Sequence, residues 1–388
     1  MVLDTFLTDE QLEMRELARR IAEEKIKPVA AMYDEKQEFP WPIVKVFAQT
    51  DMFRTFIPRE YDGLGGGILD LAIVTEELSR GCGGIALAFA GTALGAYPMI
   101  LFGTEEQKKK YLPAVAAGEK LCAFALTEPE AGSDAGSQRT TAKKVKGGYI
   151  LNGTKQWITN GGEAKIYTVI AVTNPARGSR GISAFIVEEG YEGFGYGKKE
   201  DKMGIRASST RELSFNDFFV PEENLLGRDG AGFAVAMRTL DRTRPGVAAQ
   251  AVGIAQAAFE LAVDYSRERV QFGKPISSFQ AIQFMLADMG TQIEAARAMI
   301  YQAARYIDAG NKDINKYSAM SKLFASDMAM KVTTDAVQVL GGYGYMKDYP
   351  AEKLMRDAKI TQIYEGTNQI QRLVIATSLI RESAKKHH

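Results

Sequence analysis

Acid–base chemistry in this sequence must be done without histidine. The only two histidines among 388 residues are His387 and His388, a tag remnant or a native tail at the extreme C-terminus. Ser-His-Asp triads, Cys-His pairs and His-ligated zinc sites are therefore ruled out in practice, and proton transfer falls to carboxylates, lysine or tyrosine. The segment Ile363-Tyr364-Glu365-Gly366-Thr367-Asn368 places one carboxylate in a turn, among apolar and aromatic neighbours, just ahead of a helix expected from Thr367. Partial desolvation there would raise its pKa and make it a better base. The competing reading is a surface Glu365 beside an N-capping Thr367.

Other segments offer groups suited to a polar ring or a phosphate. Thr127-Glu128-Pro129-Glu130-Ala131-Gly132-Ser133-Asp134-Ala135-Gly136 follows the strand-like Phe124-Ala125-Leu126, and its small and hydroxyl residues permit close backbone approach. Lys155 to Gly162 adds the Trp157 indole and the Thr159 hydroxyl. Arg267, Arg269, Gln271, Phe272 and Gly273 add cations suited to a pyrophosphate. Leu340 to Tyr345 is a further close-approach loop, although its glycine pair can equally mark helix termination. Gly63-Leu64-Gly65-Gly66-Gly67 lacks GxGxxG spacing and a preceding strand, so it reads as a flexible turn before a helix.

The elements that must hold these groups segregate along the chain. Thr8 and Gln11 make a capping box for a first helix, Phe39-Pro40-Trp41-Pro42 interrupts the helical pattern, and helices are expected around 68–80, 84–102 and 104–117. From 121 the pattern becomes β. Lys146 to Tyr149 and Asn152-Gly153 read as turns, and strands are expected at Ile166 to Val172, Ile182 to Val187 and Glu212 to Val220. Helix returns from about 230, at 246–270, 276–309, 315–340 and 367–384. This order predicts an α+β protein, with helical residues 1–120, a β-domain at 121–228 and a second helical domain at 229–388.

Composition narrows the function classes. Lys plus Arg equal Asp plus Glu at 48 each, and no basic stripe is interleaved with aromatics, so nucleic-acid binding is disfavoured. Cys82 and Cys122 form no CxxC pair, which argues against a disulfide framework or thiolate metal site. No basic or Arg-rich leader is evident and no membrane span is read, so a cytoplasmic protein is expected.

Four segments together, TEPEAGSDAGS at 127–137, KQWITNGG at 155–162, RERVQFGKPI at 267–276 and DAKITQIYEGTNQIQR at 357–372, closely resemble the acyl-CoA dehydrogenase family. The likeness runs nearly end to end and is nearest the short- and medium-chain (butyryl-type) enzymes. It implies an N-terminal α-helical domain, a central β-barrel or sandwich, a C-terminal four-helix bundle, and a homotetramer built as a dimer of dimers. It implies FAD contacts from Phe124, Leu126, Thr127, Gly132, Ser133, Trp157, Thr159, Thr367 and Gln369. Arg269, Phe272, Gln338, Gly341 and Gly342 would reach the FAD of a neighbouring subunit. Ser133, Asp241, Arg244, Tyr364 and Gly366 would meet the acyl-CoA substrate.

By the same likeness, Glu365 takes the α-proton of the thioester while a β-hydride passes to flavin N5, and electrons go on to electron-transferring flavoprotein. Long-chain and isovaleryl members carry the base just before the CoA-binding Arg; here that position is Thr243, so Glu365 has no rival. The Gly/Ala-rich stretch from Gly81 to Ala96 matches family segments lining the acyl pocket. Its composition fits either close helix packing or a wider pocket for a branched or cyclic (cyclohexane carboxyl) acyl group. No Arg or Lys lies between 81 and 107, which weighs against a glutaryl thioester. The rival readings are an acyl-CoA oxidase, a flavin-binding member that no longer dehydrogenates, and a flavin monooxygenase relative.

Overall fold

The Thr8 hydroxyl accepts the Gln11 N–H and the Gln11 side chain accepts the Thr8 N–H, each at 3.2 Å, so the first helix starts with two orphan donors satisfied. In the computed structural model, which describes residues 2–386, this helix is α1 (Asp9–Ile21). His387 and His388 lie outside the described residues. α2 (Ala30–Lys36) ends before the Pro-rich interruption, and α3 (Trp41–Gln49) takes Pro42 in its first turn, where the missing N–H has no partner to lose. α4 (Ile68–Gly81), α5 (Gly83–Phe102) and α6 (Glu105–Ala116) complete the first helical layer. The glycine run does end as a turn before α4. Asp70 accepts the Gly67 N–H at 2.8 Å, and Asp308 accepts those of Ile68 and Leu69 at 2.7 and 3.0 Å.

The strands are β1 (Cys122–Ala125), β2 (Thr141–Val145), β3 (Gly148–Thr159), β4 (Ile166–Val172), β5 (Ile182–Glu188), β6 (Phe194–Lys199), β7 (Thr210–Pro221) and β8 (Leu225–Leu226). They run in the order β6-β7-β3-β2-β4-β5-β8, with β1 parallel to β4. The two halves meet through a single register pair, Thr141 with Val172. Tyr149 of β3 and Phe185 of β5 pack ring to ring at 4.9 Å, which folds one half onto the other. The turn at Lys146 to Tyr149 joins β2 to β3 as expected. Asn152-Gly153, expected as a turn, is instead a bulge inside β3. Gly153 takes a φ of 142°, the register with β7 shifts there, and the Asn152 side chain donates to Asp217 at 2.9 Å.

α7 (Gly232–Glu268) is followed by the hairpin β9 (Val270–Gln271) and β10 (Lys274–Pro275). Then come α8 (Gln280–Asp308), α9 (Asn315–Leu340), α10 (Ala351–Lys359) and α11 (Asn368–Lys386). α7 packs on α4, α5, α8 and α9, while α10 and α11 lie against α9. The helix expected from 246 starts at Gly232, because Pro245 is absorbed inside α7 and does not end it. Asp241 and Arg244 are therefore one helical turn apart. A second correction concerns membrane spans. Gly83–Phe102 and Gly232–Glu268 are each long and apolar enough to cross a bilayer, and the first carries no charge, yet most of both is buried within the protein.

Burial of α5 explains its small residues. A Cβ on Gly83 would meet Ile254 at 2.7 Å, on Gly91 the Thr159 side chain at 2.9 Å, and on Gly95 the Ala123 backbone nitrogen at 2.5 Å. These glycines serve close packing and open no extra space where they stand. Gly95→Ala should destabilise the fold by about 1–3 kcal/mol through overpacking, whereas Gly132→Ala, which meets nothing within 4 Å, should be near neutral. Urea midpoints of the two variants check this, and equal midpoints would contradict it.

Candidate active site

Glu365 and Gly366 both occupy left-handed backbone, with φ of 51° and 91°, in the turn that leads into α11. For a residue with a side chain this costs about 1–3 kcal/mol and persists only where neighbours hold it. Arg244 Nε donates to the Glu365 carbonyl at 3.2 Å, and Gln371 Nε2 donates to the carbonyls of Glu365 and Gly366 at 3.1 and 2.9 Å. Lys322 Nζ donates to the Gly366 carbonyl at 2.8 Å. The φ of 91° at Gly366 is what calls for glycine, and a Cβ there would also displace the Gln371 amide, 2.7 Å away. Among the described residues, the Glu365 N–H has no acceptor.

The Glu365 carboxylate accepts the Thr243 hydroxyl at 2.8 Å. Burial pushes its pKa up to about 7, against the opposing pull of the Thr243 hydrogen bond and the charges of Arg244 and Lys322. Such a group is half ionised near neutrality, which suits a general base. Thr367 does cap α11, accepting the Ile370 N–H at 3.3 Å, but Glu365 is half-buried and not a surface residue. α7 supplies three consecutive parts of the site. Thr243 reaches the carboxylate and the buried Arg244 holds the turn. Arg244 Nη1 also donates to Asp241 at 2.9 Å, and Pro245 has no N–H to offer the helix ladder at this level. The Tyr364 hydroxyl donates to Gln250 Oε1, and Gln250 Nε2 donates to the Gly83 carbonyl at 2.9 Å, so the turn is tied to the start of α5.

Phe124, Leu126, Thr127, Gly132 and Ser133 lie at and beyond the end of β1, beside Trp157 and Thr159 of β3. The Gln156 N–H donates to the Thr127 carbonyl at 2.8 Å and stitches the two segments together. Behind them sits Lys155, fully buried, whose Nζ donates to the Leu126 carbonyl at 3.1 Å, to Glu128 at 2.6 Å and to Gln138 at 2.5 Å. Burial lowers the Lys155 pKa to about 8 although Glu128 supports its charge. Burial works against the Glu128 carboxylate too, but Lys155 and the N–H groups of Arg139 and Thr140 outweigh it. Trp157, at a φ of 57°, turns its indole outward and leaves it 57% exposed. Thr159 touches α5 at Gly91, so this region borders the same helix that the Tyr364 link reaches.

Arg269, Phe272, Gln338, Gly341 and Gly342 form a separate group. Arg269, Gly341 and Gly342 line a cavity of about 520 Å³ with Tyr265 and Tyr343; Phe272 and Gln338 are not among its lining residues. Phe272 stands 94% exposed at a φ of 50°. The rise of an α-helix puts Gln338 roughly 24 Å along α9 from Lys322, so this group and the Glu365 turn do not share one small site. Gln369 is exposed on the first turn of α11. The sequence reading did not single out Lys322, Gln371, Gln250 or the Glu128–Lys155 pair as site residues, and it took Thr243 only as a missing base. No local signal marks them, since their partners lie elsewhere in the chain. Removing Lys155 leaves Glu128 buried without its counter-charge, so Lys155→Met should cost about 3–5 kcal/mol. It should also raise hydrogen exchange across 126–140 before other segments, and unchanged exchange there would contradict this role.

Three family models match in succession: the acyl-CoA dehydrogenase N-terminal domain over residues 8–119, the middle domain over 123–218 and the C-terminal domain over 230–380. An acyl-CoA dehydrogenase of Bacillus subtilis is 50% identical over 377 residues, covering 96% of this chain and 99% of its own. The structure of butyryl-CoA dehydrogenase from Megasphaera elsdenii superposes with a TM-score of 0.94 at 48% identity, over 96% of this chain and 99% of that one. A chain in the structure of the electron transferring flavoprotein of Acidaminococcus fermentans, concerned with flavin-based electron bifurcation, gives a TM-score of 0.94 at 50% identity, over 97% and 99%. Matched from the first helix through the Glu365 turn into α11, the chain belongs to the acyl-CoA dehydrogenase family.

Proposed function

We propose that this protein dehydrogenates an acyl-CoA thioester to its 2-enoyl form, with Glu365 as the base that removes the α-proton. The observation that carries the reading is the Glu365 turn, a desolvated carboxylate beside its own unpaired backbone N–H. The α-hydrogen of a thioester is too weak an acid for a carboxylate to remove unaided. A free N–H in the same turn can donate to the thioester oxygen as it gains enolate charge, and one such donor is typically worth about 3 kcal/mol. Arg244 keeps its charge on the site while its Nη2 bonds to no described residue, which supports a further contact with substrate. Tyr364 and Gly366 flank the base and shape the approach to it.

FAD, when bound, would supply the acceptor for the β-hydride. The residues at hand suit it. The outward Trp157 indole offers a flat face, the Gly132–Ser133 loop offers open backbone, and Thr127 and Thr159 offer hydroxyls. Gln338 lies roughly 24 Å along α9 from Lys322, and Arg269, Gly341 and Gly342 line a separate cavity with Tyr265 and Tyr343. Their separation supports their use by the FAD of a neighbouring copy, in a homotetramer arranged as a dimer of dimers. The likeness to the Acidaminococcus fermentans chain supports electron-transferring flavoprotein as the electron acceptor. We take the substrate to be a short- or medium-chain acyl-CoA, in keeping with the butyryl-CoA dehydrogenase likeness and with the α5 glycines being spent on packing. We place the domain borders near 120 and 228, either side of the strands, and the protein in the cytoplasm with its bacterial relatives.

The test is anaerobic flavin reduction by butyryl-, branched and cyclic acyl-CoA. Glu365→Gln should keep FAD but lose the reduction rate by more than about two orders of magnitude, in line with general-base contributions. Because the base must be ionised, the wild-type rate should fall as pH drops through about 7 and level off above it. FAD-loaded wild type that no thioester bleaches would refute the dehydrogenase reading, and a fast Glu365→Gln would refute the choice of base. Rapid turnover on oxygen alone would mark an oxidase.

A further inference from the structure

Three lysines are buried among the described residues: Lys155, Lys322 and Lys353. Two of them sit directly on a carboxylate, Lys155 on Glu128 at 2.6 Å and Lys353 on Asp357 at 2.5 Å. Lys322 does not. Its Nζ donates only to neutral oxygens, the Gly366 carbonyl at 2.8 Å and Asn368 Oδ1 at 2.9 Å. A buried ammonium without a contacting carboxylate is unfavourable unless a nearby negative charge shares its field. The carboxylate of the turn it holds is Glu365.

The charged groups around that turn can be followed element by element. From α7 come Arg244 and Asp241, paired with each other at 2.9 Å. From α9 come Lys322 and Asp327; Asp327 is engaged by Asn368 at 2.7 Å and by Arg372 of α11 at 2.9 Å. From α10, Asp357 is committed to Lys353. Each acid except Glu365 thus has a cation or amide in contact, and each cation except Lys322 has an acid. We propose that Lys322 is a positioning residue for the proposed dehydrogenation, clamping the Gly366 carbonyl and supplying the buried cation that keeps Glu365 in its proton-accepting form. The inference rests on Glu365 acting as the base.

Two consequences follow from the geometry. Lys322 bonds the carbonyl next to Glu365, so its loss should loosen the turn as well as remove a charge. Burial brings the Lys322 pKa down to about 7, in the range where Glu365 titrates, so the two protonation equilibria are coupled. An attractive cation lowers the pKa of a carboxylic acid. Removing it should raise that pKa and move the acid limb of the rate profile to higher pH.

The experiment uses FAD-loaded enzyme carrying Lys322→Gln, which keeps a donor but no charge, Lys322→Met, which keeps neither, and Lys322→Arg, which keeps a charge. Anaerobic flavin reduction by butyryl-CoA is followed from pH 5.5 to 9. The Glu365 carboxyl band, identified by its loss in Glu365→Gln, is titrated by infrared difference without substrate. Both neutral variants should retain FAD, shift the acid limb and the infrared midpoint upward by about one pH unit, and react about tenfold slower at pH 6. Lys322→Met should also be slower on the high-pH plateau. Folded neutral variants with unmoved limb and midpoint would overturn the proposal. So would a set in which only Lys322→Arg folds, since the cation would then serve folding alone. If wild type is not reduced by any thioester while the infrared midpoint still shifts, the dehydrogenase reading fails and the Lys322–Glu365 coupling stands.

Discussion

Glu365, the proposed base, is removed from water without being fully paired. A direct salt bridge would hold its pKa low and make it a feeble base, whereas complete isolation would leave it protonated and inert. The fold settles between these limits. The carboxylate receives one neutral hydrogen bond, from Thr243, while the cations nearby attach to carbonyls of the turn. Positive charge is thus present in the site without touching the carboxylate: Arg244 and Lys322 bond carbonyls of the turn and act on Glu365 only through their field. That arrangement requires α7 and α9 to converge on one turn from opposite sides, and the extensive packing of these helices on each other serves that end.

The same demand explains where the backbone is strained. Among the non-glycine residues with positive φ are Trp157, Asn160, Phe272 and Glu365, all within the motifs that carry the family likeness. Each lies where a side chain must leave the regular path of a strand, hairpin or helix start. At Asn160 and Glu365 that conformation is held by non-local bonds. Asn160, for example, donates to the Cys122 carbonyl at 3.1 Å and to Thr92 at 3.3 Å, tying β3 to β1 and α5. At Asn160 and Glu365 the left-handed residue marks a junction between elements, held by bonds from distant parts of the chain.

Local features were legible in the sequence because their causes are local. The Thr8 capping box, the strand at Ile166 to Val172 and the run of helix, strand and helix depend on neighbours a few residues apart. The helix start expected at 246, next to Pro245, and the turn expected at Asn152-Gly153 went astray for the same reason. Each sits at a local break signal that tertiary packing overrode, one inside a long helix and the other inside a long strand. Glu365 stood out as a candidate from its apolar flanks, and the family likeness gave it the role of base. Its supports did not stand out, since Thr243 and Lys322 lie 122 and 43 positions away along the chain. Family likeness named residues expected to touch ligands; the structure adds those that touch the residues.

Thr243 shows how closely two positions address the same space. Family members that carry the base beside the CoA-binding arginine place it where this chain has Thr243, and here the Thr243 hydroxyl lies 2.8 Å from the Glu365 carboxylate. A carboxylate from either position would meet the same point, which explains how the base can change address within one fold. It also explains why one position must be neutral when the other is acidic. Two carboxylates at that separation would repel, share a proton and drive one pKa far upward. A hydroxyl at 243 avoids this and adds a donor that favours the ionised form of Glu365. With Glu365 as the proposed base, the threonine is its hydrogen-bond partner, and the identity of each residue constrains the other.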